Sequence, residues 1–113
     1  MINDGLKMTG AVAIALNGEV VQEIPNLVVT AGKGYVASRM KDATATAMSH
    51  MAIGTNNTTA AVTQTALSAE VTRGALTSTT VSTNTIAYVE TFAAGTGTGA
   101  IVEAGVFNAS SSG

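Results

Sequence analysis

From Met8 to Leu16 the larger apolar residues fall at every second position from Val12, with Ala13 and Ala15 between them, placing Met8, Val12, Ile14 and Leu16 on one face of a strand. Asn17-Gly18 follows, and Glu19 to Thr30 again reads as strand. Asn-Gly suits a two-residue type I′ hairpin, because both central positions need positive φ. The second strand carries Val20, Val21, Ile24, Leu27, Val28 and Val29, with Pro25 among them. Proline has no N–H for a ladder, so Pro25 predicts a bulge, an edge or a break.

The pattern then changes period. Thr30 is placed to cap a short helix running to about Lys41, with Tyr35, Val36 and Met40 on one face. Gly32 and Gly34 each weaken that helix by roughly 1 kcal/mol against Ala, so it must be held by docking. Ala43 to Ala47 reads as a connector, Met48 to Thr55 as a strand and Asn56 to Ala61 as an exposed loop. Thr and Val dominate Val71 to Thr83, which reads as one strand. Asn84 is a turn, and Thr85 to Phe92 is the partner strand, with Ile86, Tyr88 and Phe92 on one face. A Gly-Thr loop over Ala93 to Ala100 precedes a last strand, Ile101 to Phe107. The expected fold is mainly β, an antiparallel β-sandwich or jelly-roll-like domain with one short helix. Residues 1–113 form a single β-rich domain, with an arm at 1–6 and a Ser-rich end at 109–113.

Composition makes that core thin. In 113 residues, Tyr35, Tyr88, Phe92 and Phe107 are the only aromatic residues, and Ala supplies much of the apolar share. Small side chains bury little area each, at about 25 cal/mol per Å². Ile14, Leu16, Ile24, Leu27, Val29, Tyr35, Met40, Ile53, Leu67, Leu76, Ile86, Phe92 and Phe107 are the predicted core. Short chains with thin cores gain stability from disulfides, metals or oligomerisation. Cysteine is absent and His50 is the only histidine, which leaves oligomerisation.

Charge narrows the partners. The net charge is −2, and Lys7, Lys33, Arg39, Lys41 and Arg73 are too scattered to form a nucleic-acid patch. No apolar run reaches the length of a membrane span, and no secretory leader opens the chain. A soluble protein is expected, binding neither nucleic acid nor membrane.

Candidate chemistry is sparse. Gly95-Thr-Gly97-Thr-Gly-Ala100 fits a relaxed dinucleotide fingerprint, but a β-branched run follows where a helix is needed, so a turn is the better reading. No Lys follows those glycines as a Walker loop requires. His50 has no second imidazole to share a metal, and no nucleophile elbow surrounds any Ser, so a strand histidine bonded to a neighbouring strand or subunit is expected. Glu70 and Arg73 lie three apart, while Glu90 and Glu103 interrupt apolar strands. Paired carboxylates could do acid–base work, but strand charges more often face solvent or pair, and Arg73 is the expected partner for one of them. Asn56, Asn57 and Asn108 begin N-x-[ST] triplets that read as chance matches in a Thr/Ser-rich chain. No catalytic, metal-binding or cofactor-binding residue is assigned.

Four segments carry a resemblance: NLVVTAGKGYVASRM at 26–40, SHMAIGT at 49–55, QTALSAEVTRGAL at 64–76 and TFAAGTGTGAIVEAGVFNA at 91–109. In this order the chain resembles small virion structural proteins of tailed bacteriophages, described as tail-fibre or structural proteins. The resemblance spans roughly residues 6 to 113 and brings no catalytic residue with it. It implies a virion location after synthesis in the host cytoplasm, and virion partners: the major capsid protein or tail proteins. A homo-oligomer is expected, a trimer if the chain is a fibre domain. The short length favours a capsid cement or decoration protein stabilising the head by inter-subunit contacts. The alternatives are a tail or tail-fibre component and, from another class, a small glycan-binding module using the Tyr88/Phe92 strand or the Asn56–Ala61 loop. Two departures stand out. The loop after Gly54 has Asn56-Asn57-Thr58-Thr59 where the group has a Gly/Thr run and a Pro. The group also continues past the Ser-rich segment with further strands, so this chain is expected to be truncated there or to close its sheet differently.

Overall fold

The computed structural model describes residues 8–16, 19–42, 44–57, 59–93 and 101–111. The chain is mainly β, as the alternation predicts, with three antiparallel sheets and one helix. Strands β1 (Gly10–Leu16) and β2 (Glu19–Asn26) form a hairpin, followed by helix α1 (Thr30–Lys41). Strands β3 (His50–Gly54), β4 (Glu70–Ala75) and β7 (Glu103–Phe107) form the central sheet in the order β4-β3-β7. A second hairpin pairs β5 (Ser78–Ser82) with β6 (Thr85–Val89).

The first hairpin keeps the expected two-residue spacing, since Leu16 pairs with Glu19; Asn17 and Gly18 themselves lie outside the described residues. The register shifts between Ile14 and Ala15, not at Pro25, which stays paired with Ala11. Both strands of a two-stranded sheet are edges, so the missing N–H of Pro25 is tolerated there.

Val71 to Thr83 is not one strand with one partner. Leu76 N–H donates to the Ser49 carbonyl at 2.9 Å, and the next residue, Thr77, donates to the Val89 carbonyl at 2.7 Å. The ladder passes from β3 to β6 between those two residues, dividing the run into β4 and β5. The turn of the second hairpin is Thr83-Asn84, with Thr83 at φ 54°.

Thr30 does not cap the helix. Val29 occupies the N-cap position without a side-chain bond, and Thr30 N–H is satisfied by the Val62 carbonyl at 2.8 Å. A free helical donor at this end finds a distant backbone acceptor instead of a hydroxyl. The helix carries no fully buried residue.

Among the described residues the buried hydrophobic core is Ala52, at 0 % exposure, and Phe107, at 7 %. Outside the strand ladders, no two of the described helices and strands bring Cα atoms within 8 Å of each other; the remaining links run through loops and side chains, as at Thr30 and Val62. The radius of gyration is 14.9 Å, against about 13 Å for a compact domain of this length.

Ile14, Val29, Tyr35, Ile53, Leu67, Leu76 and Phe92 are half-buried. The core assignment is corrected at four positions: Ile24, Leu27, Met40 and Ile86 are exposed, at 40 %, 39 %, 75 % and 45 %. The Leu16 side chain lies outside the described part. Ile24 and Ile86 lie on two-stranded hairpins, Met40 on a helix whose Cα atoms stay more than 8 Å from those of every strand, and Leu27 on the link between β2 and α1, so each is only partly covered.

Candidate interaction surfaces

One face of the central sheet is the best-organised part of the chain. Across it, His50 stands between Ala75 and Phe107, Ala52 between Arg73 and Gly105, and Gly54 between Glu70 and Glu103. The small central residues allow long side chains from both flanks to close over the sheet. A Cβ on Gly105 would meet the Phe107 ring at 3.0 Å and Leu67 at 3.4 Å, so glycine leaves the space in which the ring lies.

Arg73 fills the middle of this face. Its Nε donates to Glu70 Oε2 at 3.1 Å, and its Nη2 to Glu70 Oε1 at 2.7 Å. Its Nη1 donates to the Ala109 carbonyl at 3.0 Å, and the guanidinium lies 3.9 Å from the Phe107 ring centroid. Only 7 % of this side chain is exposed. The expected pairing of Arg73 with a strand carboxylate is therefore present, with Glu70.

Glu103 ties down the other end of the face. Oε2 accepts the N–H groups of Asn56 at 3.0 Å and Ala69 at 2.9 Å, and Oε1 accepts that of Ser68 at 3.1 Å. Gly54 lies beneath: a Cβ there would stand 2.6 Å from Oε2 and 2.5 Å from the Ala69 carbonyl. A carboxylate bonded to three backbone donors acts as a clasp between β7 and two loops. Glu90 is occupied separately, accepting from the Thr77 hydroxyl at 3.0 Å and the Thr91 N–H at 2.7 Å, with its carboxylate against Gly74. The three carboxylates thus have separate hydrogen-bond partners.

His50 lies on β3 as expected, but its ring bonds to the residue just before that strand: Nδ1 is 2.7 Å from Ser49 Oγ. Neither a neighbouring strand nor a carboxylate is hydrogen-bonded to that ring among the described residues. Asn108 Nδ2 donates to the Thr46 carbonyl at 3.3 Å, and Asn56 is held at the Glu103 clasp. The Gly95–Ala100 motif lies outside the described residues. Among those described, no group of three His, Cys, Asp or Glu residues could hold a metal ion, and no helix is long and apolar enough to cross a membrane.

One further feature joins the apolar face of the helix to that of β6, a pairing no local pattern predicts. Tyr35, Val36, Arg39 and Met40 of α1 line an apolar groove with Ala47, Met48, Thr79, Ile86 and Tyr88, about 450 Å³ in volume. Burial raises the Tyr88 phenol above its ordinary pKa, and the adjacent Tyr35 adds to the shift. The tyrosines belong to segments 53 residues apart, and no local periodicity connects them. What these surfaces offer is packing: an organised sheet face that closes on itself, and an open groove and hairpins that do not.

Comparison with known proteins brings no match: no family model fits the chain, and neither a curated protein nor a solved structure is significantly similar to it.

Proposed function

We propose that this chain is a bacteriophage virion structural protein, acting as a capsid cement or decoration protein that ties neighbouring subunits by apolar contact and strand pairing. The virion assignment rests on the four ordered segments quoted above. The assembly role rests on one observation: Ala52 and Phe107 make up the buried hydrophobic core of the described chain, whereas eleven large hydrophobic side chains are exposed. Exposed apolar surface at this density marks an interaction face in a protein that must remain folded. Two two-stranded hairpins add unpaired strand edges, which favour pairing with another chain.

Antibody labelling of intact particles tests the proposal. Label over the head supports the cement role. Label on the tail would replace it with a tail or tail-fibre component, and unlabelled particles would remove the virion assignment altogether.

A further inference from the structure

Strand β5 has a free side. Among the described residues its ladder runs to β6 alone, and every residue of Ser78–Ser82 is exposed. The two-residue turn at Thr83-Asn84 closes on the Ser82–Thr85 pair, which in such a hairpin exchanges both backbone bonds. By the alternation of an antiparallel ladder, Ser78, Thr80 and Ser82 then direct their N–H and C=O groups to β6, and Thr79 and Val81 direct theirs outward. This edge carries none of the features that keep other strands of the chain from pairing. β2 has Glu19, Glu23 and Pro25, β4 has Glu70 and Arg73, β7 has Glu103, and the β1 ladder shifts register between Ile14 and Ala15. β5 has no charge, no proline, no glycine and no register shift. A two-stranded hairpin is by itself marginal in water, so further strands stabilise it.

The sequence of the edge selects the strand that fits it. Residues 77–83 read Thr-Ser-Thr-Thr-Val-Ser-Thr, and the reversed order differs only by the exchange of Thr79 with Val81, two β-branched side chains of nearly equal volume. Laid antiparallel on itself about Thr80, the strand sets Thr80 against Thr80, Ser78 against Ser82 and Thr79 against Val81. These are hydroxyl and β-branched cross-strand pairs with no like charges opposed. Backbone parity agrees. Thr79 and Val81, the outward-bonding residues, face one another, so each donates to and accepts from the other copy. The reversed order of β6 lacks this symmetry, since Ile86 would meet Tyr88 and Thr85 would meet Val89. We infer that two copies of this chain join edge to edge through β5, antiparallel and centred on Thr80, in one continuous sheet of order β6-β5-β5-β6. The contact is isologous and closes at a dimer. It sets Val81, 69 % exposed in the single chain, beside the partner's Thr79. This inference rests on the assembly reading above and adds to it the partner and the edge.

Single-cysteine variants of the purified full chain test it, because the chain has no cysteine of its own. Thr80→Cys places a thiol opposite its own copy across the twofold axis, in a non-hydrogen-bonded pair. Cα atoms of such pairs lie about 4.5 Å apart, inside the range of roughly 4.4–6.8 Å that a disulfide spans. Ser78→Cys and Ser82→Cys face each other and not themselves. All three positions are exposed, and circular dichroism checks that each variant keeps its fold. Mild air oxidation should cross-link Thr80→Cys into a dimer at least about tenfold faster than either serine variant alone, and an equimolar mixture of those two should recover the fast rate. Equal rates at the three positions, or a mixture no faster than its components, would overturn the inference. Hydrogen exchange of β5 on assembled particles then separates the two readings. Slow cross-linking with β5 protected on particles would mean that a different chain takes this edge, so the second-copy inference falls and the assembly reading stands. Slow cross-linking with β5 unprotected on particles would overturn both.

Discussion

The Arg73 guanidinium lies over the Phe107 ring, 3.9 Å from its centroid, and the same group binds Glu70 on β4 and the Ala109 carbonyl beyond β7. One side chain therefore spans the central sheet from edge to edge above Ala52. Arg73→Ala should cost about 2–4 kcal/mol, because the Glu70 carboxylate and the Ala109 carbonyl both lose their donor. Arg73→Lys should recover little, since an ammonium cannot reproduce the fork and the stacked plane together. Chemical denaturation of the variants measures both.

Phe107 and Phe92 should separate in the same assay. Phe107→Ala removes a side chain of a residue only 7 % exposed and should cost about 3–5 kcal/mol. Phe92 is half-buried, and its truncation should cost clearly less. Equal losses at the two positions would mean that the burial order is wrong.

At Glu103 the expected effect is local as well as global. Glu103→Ala strands three backbone N–H groups and should destabilise by about 2–4 kcal/mol; Glu103→Gln keeps one acceptor oxygen and should fall between. Amide hydrogen exchange at Asn56, Ser68 and Ala69 should accelerate before that of β3. Uniform acceleration across the sheet would contradict the clasp.

Two glycines should respond to alanine with opposite signs. Gly54→Ala places a Cβ against the Ala69 carbonyl and the Glu103 side chain, and should cost about 1–3 kcal/mol. Gly34→Ala meets nothing within 4 Å and should stabilise α1 by about 1 kcal/mol. Paired melting curves of the two variants suffice.

Thr83 carries a β-branched side chain at φ 54°, a backbone region that costs roughly 1–2 kcal/mol for L-residues. Thr83→Gly should relieve part of this, offset by the greater chain entropy of glycine, for a net gain of about 0.5–1 kcal/mol. A loss of stability would show that the Thr83 side chain makes a contact that matters.

The strands were legible where the signal was local. Asn17-Gly18 with alternating flanks sets the first hairpin, and the apolar run at 50–54 becomes the central strand of the three-stranded sheet. What was not legible depends on tertiary company. Nothing at Leu76-Thr77 marks the residue at which a ladder changes partner, and nothing near Thr30 announces that Val62 will satisfy its N–H. Ile24, Leu27, Met40 and Ile86 have core-like side chains, but periodicity reports which face is apolar, not whether the same chain covers it. Glu103 reads as a charge interrupting a strand because its three donors come from positions 34 to 47 residues away. Conversely, Ala52 is too small to draw attention, and it is the most deeply buried hydrophobic residue described.

Hydrogen exchange compared between the free protein and the assembled particle tests the central claim most directly. The account predicts that amides of β1, β2, β5 and β6 exchange readily in the free chain and at least about tenfold more slowly after assembly, while the β3 amides, already paired on both sides, change little. Hairpins equally exposed in both states would contradict an assembly role for these apolar faces.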